Sequence, residues 1–70
     1  MNNDEAMAVL VANRNAINAA INGLNRYRQE TDNWKAAVKT SQMAEVKQFA
    51  SNAGVDLSAW DGSPAPAVTE

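Results

Sequence analysis

The run from Asp4 to Gln29, DEAMAVLVANRNAINAAINGLNRYRQ, most constrains what this chain can fold into. It reads as one long amphipathic helix with two kinds of apolar surface. At about 100° per residue, Met7, Leu10, Ile17, Ile21 and Leu24 share one stripe. With Arg14 and Arg28 counted, the spacing alternates three and four, the a/d pattern of a coiled-coil seam. A packed helix of a small bundle fits the same pattern.

The opposite side carries small residues: Ala8, Ala12, Ala16, Ala19, Ala20 and Gly23, with Val9 and Tyr27 at the edge. Alanine is the best helix former, which accounts for much of this stripe. Small side chains also let a second helix approach toward the lower end of the usual spacing of about 8–10 Å. Gly23 favours that use, since a mid-helix glycine costs about 1 kcal/mol against alanine. Ala12, Ala16, Ala19, Ala20, Gly23 and Tyr27 are therefore expected at an interface. Between the stripes lie Asn15, Asn18, Asn22, Asn25 and Gln29, read as an uncharged solvated face. Asn2 and Glu5 have capping-box spacing, and Asp4 and Glu5 suit the positive end of the helix dipole.

Glu30 to Asn33 is the expected break, because Thr31, Asp32 and Asn33 are weak helix formers and Thr31 or Asp32 can cap a new helix. A second helix is predicted over about 33–53. Trp34, Val38, Val46, Phe49, Ala50 and Ala53 lie on one broad face, with Met43 at its margin. Thr40-Ser41 offers a fresh start within it. The expected fold is all-α: a helical hairpin of two antiparallel helices, about 4–29 and about 33–53, within residues 1–53. One unbroken helix is the alternative. In the hairpin register, Arg14 comes near Glu45 or Gln48, the kind of partner a buried arginine needs.

Gly54 stands where a left-handed C-cap belongs, with Val55 placed for the accompanying apolar contact. Residues 54–62 are expected to fold over the open end of the hairpin, with Asp56 capping a turn that leads to Trp60. The alternative makes Trp60 part of a docking peptide, so it joins the interface candidates. Asp61-Gly62 is a turn signal, and residues 63–70, rich in Pro and Ala, read as extended or disordered.

Composition narrows the function. Alanine supplies 14 of the 32 apolar residues, leaving few large side chains for a core. There is no cysteine to staple a small domain. Completion by oligomerisation or by a protein partner is expected. With no histidine and no cysteine, the usual neutral-pH base, zinc ligands and thiol nucleophile are missing. The carboxylates are dispersed and no phosphate-cradling glycine loop occurs. No catalytic, cofactor or metal residue is expected.

The net charge of −2 leaves no basic footprint. Arg26, Arg28, Lys35 and Lys39 near Tyr27 and Trp34 make a short basic-aromatic cluster, so nucleic-acid binding ranks last among the function classes. No stretch approaches a membrane span, and the acidic start does not read as a signal peptide. The expectation is a non-enzymatic structural or assembly protein that self-associates or docks into a larger complex, in the cytoplasm or inside a particle assembled there. The alternative is a small inhibitor or adaptor, such as a bacterial or phage accessory protein, binding one target.

Overall fold

The computed structural model describes residues 1–31 and 36–65. Among these residues the fold is all-helical: α1 (Asn3–Ala12), α2 (Asn18–Thr31) and α3 (Thr40–Asn52). An unbroken helix from residue 10 to residue 53 would reach over 60 Å at about 1.5 Å per residue. The longest dimension of the molecule is 37 Å, so the chain doubles back.

The expected first helix, about 4–29, is two helices. Asn13 donates from its side-chain amide to the Val9 carbonyl, and its backbone N–H turns back to Leu10. Arg14 and Ala16 continue the turn with bonds to Val11 and Asn13. Short polar side chains that bond nearby backbone offer the chain a way out of the helix. Leu10 before the turn and Ile17 after it are both buried in one core. Arg14 is consequently exposed in the turn and occupies no seam.

The start of α1 follows its expectation. The Asn2 side chain accepts from Glu5 N–H at 3.0 Å, and the Glu5 carboxylate accepts from Asn2 N–H at 3.3 Å. At the other break, Thr31 is the last residue of α2, and its hydroxyl donates to the Tyr27 carbonyl. Asp32, Asn33, Trp34 and Lys35 lie outside the described residues. The second predicted helix is shorter than 33–53: residues 36–39 are non-helical and α3 begins at Thr40.

α3 ends as its sequence implies. Gly54 adopts φ +83°, Val55 N–H reaches the Ala50 carbonyl at 2.8 Å, and Gly54 N–H reaches Ser51. These are the two bonds of a Schellman cap. Val55 then packs against the core, with Leu57 and Trp60 buried behind it.

The core joins all three helices to this C-terminal strap. Ala6 and Leu10 come from α1; Ala20, Ile21, Leu24 and Tyr27 from α2; Val46 and Ala50 from α3. Ile17, Val38, Leu57 and Trp60 complete it from the connecting segments. α2 packs most extensively on α3 and to a lesser extent on α1. Gln42, between Thr40 and Val46, buries its Oε1 without a hydrogen-bond partner.

Asn3 holds three separate pieces of chain together. It is fully buried, and its Oδ1 accepts from the Trp60 indole at 3.1 Å. Its Nδ2 donates to the Ala36 carbonyl, and its backbone N–H donates to Ser63 at 2.9 Å. Val38 N–H meets the Gly62 carbonyl beside it. Gly62 has φ +74°, a conformation L side chains rarely adopt, and a Cβ there would lie 2.5 Å from Met43 Sδ, so the Met43 side chain would have to move to admit one. Residues 63–65 of the expected disordered tail are thus half-buried, with Ser63 bonded to α1; residues 66–70 lie outside the described residues.

Asn3→Ala leaves the buried Trp60 N–H and the Ala36 carbonyl without their partner. The buried indole donor left unpaired costs about 1–3 kcal/mol, while the carbonyl of exposed Ala36 can turn to water. Urea denaturation followed by circular dichroism should show a loss in that range or above. Trp60→Phe, which removes the indole donor and leaves Asn3 Oδ1 unpaired, should couple to it non-additively in a double-mutant cycle.

Candidate interaction surface

The seven residues that sequence places at an interface separate into two sets. Ala20, Gly23, Tyr27 and Trp60 are buried within the chain's own core. Ala12, Ala16 and Ala19 are exposed. The turn at Asn13–Ala16 separates Ala12 and Ala16 from the α2 residues, while Ala19 lies on α2 itself, on the side turned away from the core.

Gly23 faces α3 of the same chain across a contact with room for a methyl group. A Cβ at Gly23 would stand 3.5 Å from Val46 Cγ2. Nearby, Arg26 pairs with Glu45 at 3.6 Å, so Glu45 meets Arg26 and not Arg14. Both side chains of that pair are about half exposed, which makes its contribution small. The Tyr27 hydroxyl donates to the Ala37 carbonyl. That bond ties α2 to the segment before α3 and takes the Tyr27 ring out of the basic-aromatic cluster. Of that cluster, Lys39 and the arginines are on the surface, while Trp34 and Lys35 lie outside the described residues.

Trp60 is anchored by two aspartate turns on either side of it. Asp56 accepts from Ser58 N–H at 2.9 Å. Asp61 accepts from the Ser63 hydroxyl at 2.6 Å and from Ser63 N–H at 2.9 Å. The Ser58 backbone bond, with help from the Ser58 side chain, holds the Asp56 carboxyl below its ordinary range. The Ser63 hydroxyl, then the Ser63 backbone, does the same for Asp61. Hydrogen bonds to the charged form favour that form.

Most of the exposed positions are polar, and the apolar ones among them are mainly alanine. Among the described residues the large hydrophobic side chains left exposed are Val11 at 49% and Phe49 at 37%. Val11 has Ala8 and Ala12 beside it on α1, both exposed. Val11, Ala12, Arg14 and Ala16 border a shallow groove of about 380 Å³ with Asn13 and Asn15. A second groove, of about 450 Å³, runs between Lys47 and Ser51 of α3 and the strap at Val55–Ser58. The amide face behaves as a solvated face: Asn15, Asn18, Asn22 and Gln29 are exposed and Asn25 is half-buried. Among the described residues no three acidic side chains converge on a metal-sized site. No described helix is long and apolar enough to cross a membrane.

Sequence reasoning passed over two participants. Val11 was absent from both apolar stripes because it falls between them on a continuous helix, and only the turn after Ala12 sets it outward. Asn3 is the other, and no sequence signal distinguishes a buried asparagine from a capping one. Comparison with protein-family models, curated proteins and solved structures found no match for this chain.

Substitutions at Gly23 test the close approach of the two helices. Gly23→Ala fits the contact with Val46 and improves helix propensity, so it should stabilise by up to about 1 kcal/mol. Gly23→Leu overfills the same contact and should cost about 1–3 kcal/mol in urea denaturation.

The aspartate turns imply a pH dependence. The depressed carboxyls of Asp56 and Asp61 favour the folded state while ionised. Their contribution is present above the ordinary aspartate pKa and is lost as pH falls through the folded values, below about pH 4. Thermal melts between pH 7 and pH 2 should show that loss, and the Asp56→Asn/Asp61→Asn double variant should show a shallower one.

Proposed function

We propose that this chain is a non-enzymatic structural or assembly module, in which α2 and α3 form an antiparallel helical hairpin and an outer face of α1 docks on another protein surface. The hairpin is supported by the pairing of Gly23 with Val46 and of Arg26 with Glu45, in which α3 numbering falls as α2 numbering rises. The docking role is carried by one observation: past its acidic first turn, α1 is apolar on both sides. Ala6 and Leu10 face the core, while Ala8, Val11 and Ala12 face out. A surface helix ordinarily turns polar residues outward; one that is apolar all round belongs inside something larger.

A second reading, a small inhibitor or adaptor binding one target, is favoured by the strap. Leu57 and Trp60 close the core from within the chain, so a partner is available for function and is not consumed in completing the fold. Nucleic-acid binding loses support because the Tyr27 ring is in the core.

Photo-crosslinking in the native host tests the docking role. A benzophenone amino acid at position 11 should give an adduct of one defined mass, while the same group at Asn22 or Gln29 should give none. Equal labelling at all three positions, or none at position 11, would overturn it.

A further inference from the structure

We infer that the partner for the outer face of α1 is a second copy of this chain, bound about a two-fold axis with the two α1 helices antiparallel. The inference rests on the docking reading above and adds the identity of the partner. At helical spacing, Asp4, Ala8 and Val11 line up along the outer face, with Glu5 and Ala12 on one flank. All five are exposed. The face therefore has an acidic end and an apolar middle. Its other end is closed by Arg14, which is exposed and borders the same groove as Val11 and Ala12.

Neither Asp4 nor Arg14 takes part in the ion pair found among the described residues, which joins Arg26 to Glu45. The face is thus acid at one end and base at the other, with both charges open to a second chain. A parallel copy would set like charges together. A reversed copy sets each Asp4 against the other copy's Arg14, which is the self-complementarity that a two-fold contact requires.

With the axis between Ala8 and Val11, Asp4 lies about 8 Å to one side, at about 1.5 Å per residue. Arg14 lies on the other side, in the turn just past the end of α1, beside the groove that Val11 and Ala12 border. Ala8, Val11 and Ala12 interdigitate at the centre, where small residues allow close approach.

Sedimentation equilibrium of the full chain tests this, with circular dichroism confirming the fold of each variant. The wild-type chain is expected as a monomer–dimer equilibrium. Asp4→Arg alone and Arg14→Asp alone should each weaken it by about tenfold, since each places like charges together twice in the dimer. Mixing the two single variants should restore association. The copy carrying Asp4→Arg is then basic at both ends of the face, the copy carrying Arg14→Asp is acidic at both, and every facing pair is opposite in sign. Val11→Lys, which leaves the charged ends intact, should abolish the dimer while keeping the helical content, and it decides the matter if a charge variant fails to fold.

A wild-type chain that remains monomeric to about 1 mM overturns the second copy as partner. An adduct with a different protein at position 11 then still upholds the docking reading. A dimer insensitive to Val11→Lys, or one not restored by mixing the charge variants, overturns the antiparallel α1 contact.

Discussion

The fold depends on one buried side-chain amide. Asn3 Oδ1 accepts from Trp60, its Nδ2 donates to Ala36, and its backbone N–H donates to Ser63. Three segments distant in sequence therefore meet at a residue with no exposure to water. Burying an amide is costly unless its hydrogen bonds are made, and here both ends of the side chain are satisfied. The arrangement therefore discriminates strongly. A shift of the strap by one residue would move the indole away from Oδ1 and leave two polar groups stranded. Apolar packing alone tolerates such slips far better.

That constraint explains how a chain short of large side chains builds a core. Its two largest fully buried side chains, Trp60 and Tyr27, each place an aromatic body among aliphatic residues and bond their polar tip to a neighbouring segment. An aromatic ring supplies more buried area than any aliphatic residue, and its donor makes the placement specific. Alanine and glycine do the complementary work. Ala20 and Ala50 are fully buried, and Gly23 faces Val46 where α2 packs on α3. Dense packing of small residues around two aromatic anchors is how these helices reach contact with few leucines and isoleucines.

The turn at Asn13–Ala16 then determines what is left for other molecules. On a continuous helix the small-residue stripe would form one long face from Ala8 to Tyr27. Breaking the helix there rotates the two halves independently. The α2 half, with Ala20, Gly23 and Tyr27, goes into the core. The α1 half, with Ala8 and Ala12, stays outside and gains Val11. The docking face proposed for α1 is thus a product of the break, as is the surface position of Arg14 at its edge.

Much of this is readable from residue types alone, and the readable part is local. The Asn2–Glu5 capping box, the left-handed Gly54 with Val55 behind it, the Asp56 turn and the solvated amide face each rest on interactions within about five residues, so their chemistry is written in the neighbouring letters. The inward stripe of Leu10, Ile17, Ile21 and Leu24 is legible because helical periodicity survives whichever helix it belongs to. Three features are not legible: the turn at Asn13, the half-buried Ser63–Ala65, and the sorting of the small-residue stripe into core and surface. In each, local propensity is nearly neutral. An asparagine continues a helix or ends one at a cost of well under about 1 kcal/mol either way. Long-range burial is larger than that difference. The tertiary structure decides these positions because only there do Gly23 meet Val46 and Asn3 meet Trp60.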